Sequence, residues 1–117
     1  MEKLFDAELR LMEVIWEREP VSAKELSLMA AERFGWNKNT TYTVIKRLIE
    51  KDVLRREEPG FICSSRVGKD TVRKAETNTL IDKLFGGSKK AFFAAFADEK
   101  LSEDEVEALK ALIEKKG

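Results

Sequence analysis

The chain contains no histidine. That absence removes the commonest general base near neutral pH, the commonest metal ligand and the partner that Ser-His and Cys-His nucleophiles require, so most hydrolase mechanisms lack a needed group. A single cysteine, Cys63, excludes an internal disulfide and a cysteine-rich metal site. This usage fits a reducing compartment, and the expected location is the cytoplasm. Cys63 falls inside a predicted strand, where a cysteine reads as a small buried hydrophobe. No run approaches the roughly 18 apolar residues of a membrane span, and the start, Met1 to Asp6, turns acidic before any apolar leader core develops. The expectation is a protein neither exported nor attached to a membrane. Charge of one sign is also not in excess: Lys+Arg is 22 and Asp+Glu is 22, so no global field draws the chain to nucleic acid. The stretch Gly68-Lys69-Asp70-Thr71 is no phosphate loop, because Cys63 stands where the upstream glycine belongs and Asp70 where a hydroxyl must reach magnesium. Carboxylates lie on charged helix faces without a positioned nucleophile or metal ligand. The reading is a protein without cofactor or metal, and not an enzyme.

What is present is a foldable chain of 117 residues, 43% hydrophobic and 38% charged, long enough for one small domain with an appendage. A first helix runs from Asp6, read as its N-cap, to about Arg18, with Leu9, Met12, Ile15 and Trp16 toward one side. Pro20 forbids its continuation. Ser22 and Glu25 form a capping box before Leu26, Met29, Ala30 and Phe34, and Gly35 stops that second helix. A third begins near Asn37 and continues to about Lys51 with Thr41, Val44, Ile45, Leu48 and Ile49 inward. Val53 to Glu57 and Phe61 to Arg66 then read as strands joined through Glu58-Pro59-Gly60. Three helices and a hairpin in this order predict a winged helix-turn-helix domain over residues 1–68. Residues 69–117 predict a helical tail: a long helix carrying Val72, Ala75, Leu80 and Leu84 up to Gly86-Gly87, a Phe-rich segment, and a last helix opened by a Ser102/Glu105 capping box. The fold class is mainly α with a small β-hairpin wing.

Positive charge is concentrated locally. Lys38, Lys46, Arg47, Lys51, Arg55 and Arg56 oppose only Glu50 and Asp52, so residues 38–56 carry a net +4 in a neutral chain. Phosphate neutralisation supplies most sequence-independent affinity for DNA, and the outer side of the third helix suits a major groove. The candidate DNA-binding residues are Lys38, Asn39, Thr40, Tyr42, Thr43, Lys46 and Arg47 on that helix, with Arg55 and Arg56 on the following strand. The acidic wing tip, Glu57-Glu58, opposes further backbone contacts. A winged-helix module that docks an acidic protein instead of DNA is the alternative that zero net charge permits.

About fifty residues in short helices bury too little apolar area to stand alone. The tail therefore predicts self-association across a two-fold axis, through Val72, Leu80, Leu84, Phe92, Phe93, Phe96, Leu109 and Ile113, the alternative being that it packs onto its own winged domain.

With these residues in view the sequence resembles the penicillinase-repressor (BlaI/MecI-type) family along nearly its whole length. The carriers are Asp6-Ala7-Glu8-Leu9 with Met12 and Ile15-Trp16, then Trp36, Thr40 to Thr43 and Arg47-Leu48, and in the tail Phe85-Gly86-Gly87-Ser88 and Leu101-Ser102-Glu103-Asp104-Glu105. The resemblance implies a homodimeric repressor in which each winged helix takes half of a palindromic operator and the helical tails intertwine. In the antibiotic-responsive branch, a sensor-linked protease cuts before a Phe in the tail. Phe96 is the nearest match, with Ala95 where that branch typically has Asn. The recognition helix departs too, having Asn39 and Tyr42 where the best-known members carry basic residues.

Overall fold

The computed structural model describes residues 2–96 and 101–114. Helix α1 (Asp6–Arg18) buries Leu11, Met12, Val14 and Ile15. Its N-cap is Phe5 and not Asp6, which occupies the first helical position. Phenylalanine offers no oxygen to the free amides, and the end is tied instead by Glu8, whose carboxylate accepts the Phe5 N–H at 2.8 Å. Asp6 still favours this end by placing a negative charge in the first turn.

After Pro20 the chain makes a two-residue strand, β1 (Val21–Ser22), which the residue pattern does not predict. Two residues carry no readable alternation, and β1 is defined by its pairing partner alone. The Ser22 hydroxyl accepts the Glu25 N–H at 3.1 Å and opens α2 (Ala23–Phe34). Gly35, at φ +71°, ends α2 in the left-handed region where glycine has no Cβ penalty. Asn37 then caps α3 (Lys38–Glu50), its side-chain oxygen accepting the Thr40 N–H at 2.8 Å.

Strands β2 (Leu54–Glu57) and β3 (Ile62–Ser65) form the expected hairpin, and β1 adds to its other side to give an antiparallel sheet in the order β1-β3-β2. Cys63 stands at the centre of the sheet, opposite Val21 on one side and Arg56 on the other. It is fully buried among the apolar residues of the three helices and sheet, including Leu11, Ile15, Leu26, Ile45 and Leu48. The order α1-β1-α2-α3-β2-β3 is that of a winged helix.

Three further helices follow, α4 (Lys69–Phe85), α5 (Lys89–Ala95) and α6 (Glu103–Glu114). The chain divides into two compact units, Met1–Thr79 and Leu80–Gly117, with the division inside α4 and later than the expected 68/69 boundary. The reason lies in the first half of α4. Glu76 accepts the Leu4 N–H at 3.0 Å, Lys69 pairs with Glu13 at 3.0 Å, and Val72 is 1% exposed within the winged unit's own core. Val72 is thus corrected from a dimer contact to a core residue of its own chain, since its apolar surface is already covered. In the second unit Phe92 meets Phe85, Phe93 and Phe96 at centroid distances of 5.6, 5.5 and 5.3 Å, all edge-on. Leu80, Leu84 and Phe96 remain exposed. The side chains of Leu109 and Ile113 lie outside the described residues. Among the described residues no helix is long and apolar enough to cross a membrane.

Candidate nucleic-acid interface

Helix α3 has one face committed to the core and one committed to nothing. Thr41, Val44, Ile45 and Leu48 are buried, which fixes the rotation of the helix and turns Lys38, Asn39, Thr40, Thr43, Lys46 and Arg47 to solvent. Tyr42 is half-buried between the two faces. Two threonines bond back to the helix: Thr41 Oγ1 donates to the Asn37 carbonyl at 3.3 Å and Thr43 Oγ1 to the Asn39 carbonyl at 2.9 Å. The Thr43 methyl and the Asn39 amide are therefore the parts of those residues left for an incoming ligand.

The cations that the sequence groups together sort into two sets. Among the described residues Lys38, Lys46 and Arg47 have no carboxylate in ion-pair range. Lys51 is taken inward: its ammonium donates to the buried Glu8 carboxylate at 2.7 Å and to the Lys3 carbonyl at 2.7 Å, and lies 4.5 Å from the Phe5 ring centroid. Arg55 pairs with Glu57 at 3.4 Å and Arg56 with Glu58 at 2.9 Å. The Arg56 guanidinium beside Glu58, and then the Phe61 N–H, hold the Glu58 carboxyl below its ordinary value of 4.5. The net +4 of residues 38–56 is in space a smaller patch on α3 beside a self-neutralised wing. The Arg55–Glu57 pair was readable in principle, because residues two apart on a strand share a face; Glu58 lies just past β2, so its pairing with Arg56 was not. Nor was the Lys51–Glu8 pair, whose members stand at the C-cap of α3 and in the first turn of α1.

An aromatic contact joins the wing turn to α3. Tyr42 and Phe61 meet edge-on at 5.8 Å, Lys38 stands 5.8 Å from the Tyr42 centroid, and Arg56 lies 3.6 Å from that of Phe61. Among the described residues no group of His, Cys, Asp and Glu side chains is arranged to hold a metal ion.

A basic face on the second helix of a helix-turn-helix, backed by a wing, is an arrangement that enters a major groove. The penicillinase repressor family profile matches residues 4–115. The chain belongs to the penicillinase repressor family. The penicillinase repressor of Staphylococcus aureus is 30% identical over 110 residues, covering 92% of this chain and 87% of the relative. The methicillin resistance regulatory protein MecI of Mammaliicoccus sciuri is 26% identical over 117 residues, covering 97% and 95%. Two solved structures are similar over 59% of this chain. One is the solution structure of the DNA-binding domain of the repressor BlaI, 28% identical with a TM-score of 0.54, covering 59% of this chain and 90% of that one. The other, the Bacillus licheniformis BlaI monomeric form in complex with the blaP half-operator, is 27% identical with a TM-score of 0.54 and covers 59% and 87%. The expected family and the winged-helix fold class both stand.

Proposed function

We propose that this chain is a DNA-binding transcriptional repressor that acts as a homodimer, each winged unit occupying one half of a palindromic operator. The observation that carries the reading is the exposed face of α3, where among the described residues Lys46 and Arg47 stand without carboxylate partners on a helix whose inner face is locked in the core. The relatives named as repressors, and the one bound to a half-operator, support it. Lys46 and Arg47 neutralise phosphates; Asn39, Thr40, Tyr42 and Thr43 face the bases. Leu80, Leu84, Phe92, Phe93 and Phe96 of the second unit supply the dimer contacts, joined by Leu109 and Ile113. Two half-sites bound by tethered units raise affinity without any new base contact, so dimer stability sets operator occupancy. Ala95, the last residue of α5, and Phe96 at its C-cap are both exposed, and a sensor-linked protease cutting between them would sever α6 and release the operator.

The test selects genomic duplexes with the full chain and titrates the recovered fragment against salt. Lys46→Ala with Arg47→Ala is expected to weaken binding and flatten the logarithmic salt slope by about 0.9 for each phosphate left without its cation. An unchanged slope rejects these two residues as phosphate ligands. A chain that recovers no duplex rejects DNA binding in favour of a protein-docking winged helix.

A further inference from the structure

We propose that the wing acts on DNA through the recognition helix and not by direct grip: Phe61, held by Arg56 and Glu58, is a positioning residue that sets Tyr42 on the DNA-facing side of α3. The proposal rests on the DNA-binding reading above and assigns the wing's part in it.

Glu58 holds two groups at once. One oxygen accepts the Arg56 Nε–H at 2.9 Å, and the other accepts the Phe61 N–H at 3.1 Å, fixing Phe61 at φ +50° just past the wing tip. Arg56 in turn covers the Phe61 ring with its guanidinium 3.6 Å from the centroid. An arginine held by both a carboxylate and an aromatic face must leave both partners to reach for a phosphate. It would also leave Glu58 uncompensated beside the DNA backbone. Arg55 is similarly engaged by Glu57. The wing therefore has little net charge to offer DNA.

What the wing offers instead is a fixed aromatic edge. The Phe61 and Tyr42 rings cross at 82° with centroids 5.8 Å apart, the geometry that the ring quadrupoles favour. A tyrosine side chain on a helix has few staggered orientations, and an immobile neighbouring ring selects among them. Among the described residues the Tyr42 hydroxyl has no hydrogen-bond partner, so the ring is placed by packing while its polar end stays available to a base or phosphate. Lys38, over the same ring, adds a cation beside it. Tyr42 is thus coupled to the wing tip by side-chain packing alone.

Tyr42 is the single tyrosine of the chain, which makes the proposal directly readable. The full chain grown with 3-fluorotyrosine gives one ¹⁹F resonance in the absence of DNA. Phe61→Leu is expected to shift it, and Arg56→Gln to shift it less. With the genomic duplex recovered by the wild-type chain, Arg56→Gln is expected to weaken binding about two- to tenfold at unchanged salt slope. In a Tyr42→Ala background it should have no further effect. A salt slope lowered by about 0.9 per subunit makes Arg56 a phosphate ligand and overturns the proposal. So does a resonance indifferent to Phe61→Leu in a variant whose thermal midpoint shows it folded, and so does additivity with Tyr42→Ala. A wild-type chain that recovers no duplex overturns the DNA-binding reading itself, whatever the resonance does.

Discussion

Lys51 counts as a surface cation in any tally of charge along the chain, yet its ammonium serves the interior. It is 13% exposed and its partner Glu8 1%, and Glu8 also ties the Phe5 N–H at the start of α1. Removing one member of a buried pair leaves the other charge uncompensated, so Lys51→Met is expected to destabilise the fold by about 3 kcal/mol in urea unfolding. Glu8→Gln should also destabilise, by about 2 kcal/mol, because Lys51 loses its counter-charge and the amide NH2 takes the place of the buried Oε2, which has no hydrogen-bond partner among the described residues. Cys63 is the other buried residue with a measurable signature. Burial pushes its thiol from 9.0 up to about 11, against a smaller opposing pull from Arg56. The unfolded chain therefore ionises first as pH rises. The contribution of this residue is intact below about pH 9 and is lost progressively toward pH 11. Cys63→Val should remove that part of the alkaline decline, measured as the difference between the two chains' urea midpoints at pH 8 and near pH 10.5.

At the scale of elements, α3 is defined by its ends as much as by its inner face. Asn37 satisfies the Thr40 amide, and Asn37→Ala is expected to cost about 1 kcal/mol with faster hydrogen exchange at Thr40, checked by urea unfolding and amide exchange. The inner face was legible from spacing: Thr41, Val44, Ile45 and Leu48 are buried and Ile49 partly so, and the signals at Gly35 and Asn37 act as read, while at Ser22 only the serine half of the expected capping box is made among the described residues. The hairpin was legible from its turn residues, each observed strand being slightly shorter than expected. Two features were not. β1 exists because Val21 and Ser22 find Cys63 and Ile62 across the sheet, a partnership with no local mark. The N-cap of α1 is Phe5 and not Asp6 because Glu8, held by Lys51, closes the first turn in place of an N-cap oxygen.

For the whole molecule the decisive matter is what the second unit does for the first. Leu80 and Leu84 on α4, with Phe96 after α5, leave apolar side chains exposed at 44%, 64% and 42%. Such surface on so small a unit calls for burial, and a second copy would provide it. Phe92→Asp with Phe96→Asp is expected to convert dimers to monomers in sedimentation and to reduce operator affinity strongly, while the winged unit keeps its unfolding transition. A persistent dimer rejects this interface. Composition, apolar spacing and capping residues were sufficient for the winged-helix order and for the outward face of α3, because they act through neighbours along the chain. Which cations remain available, where Val72 belongs and how Tyr42 meets the wing were settled only by tertiary structure. Those outcomes depend on side chains from separate elements, Glu8 with Lys51 or Phe61 with Tyr42, whose proximity no local pattern encodes.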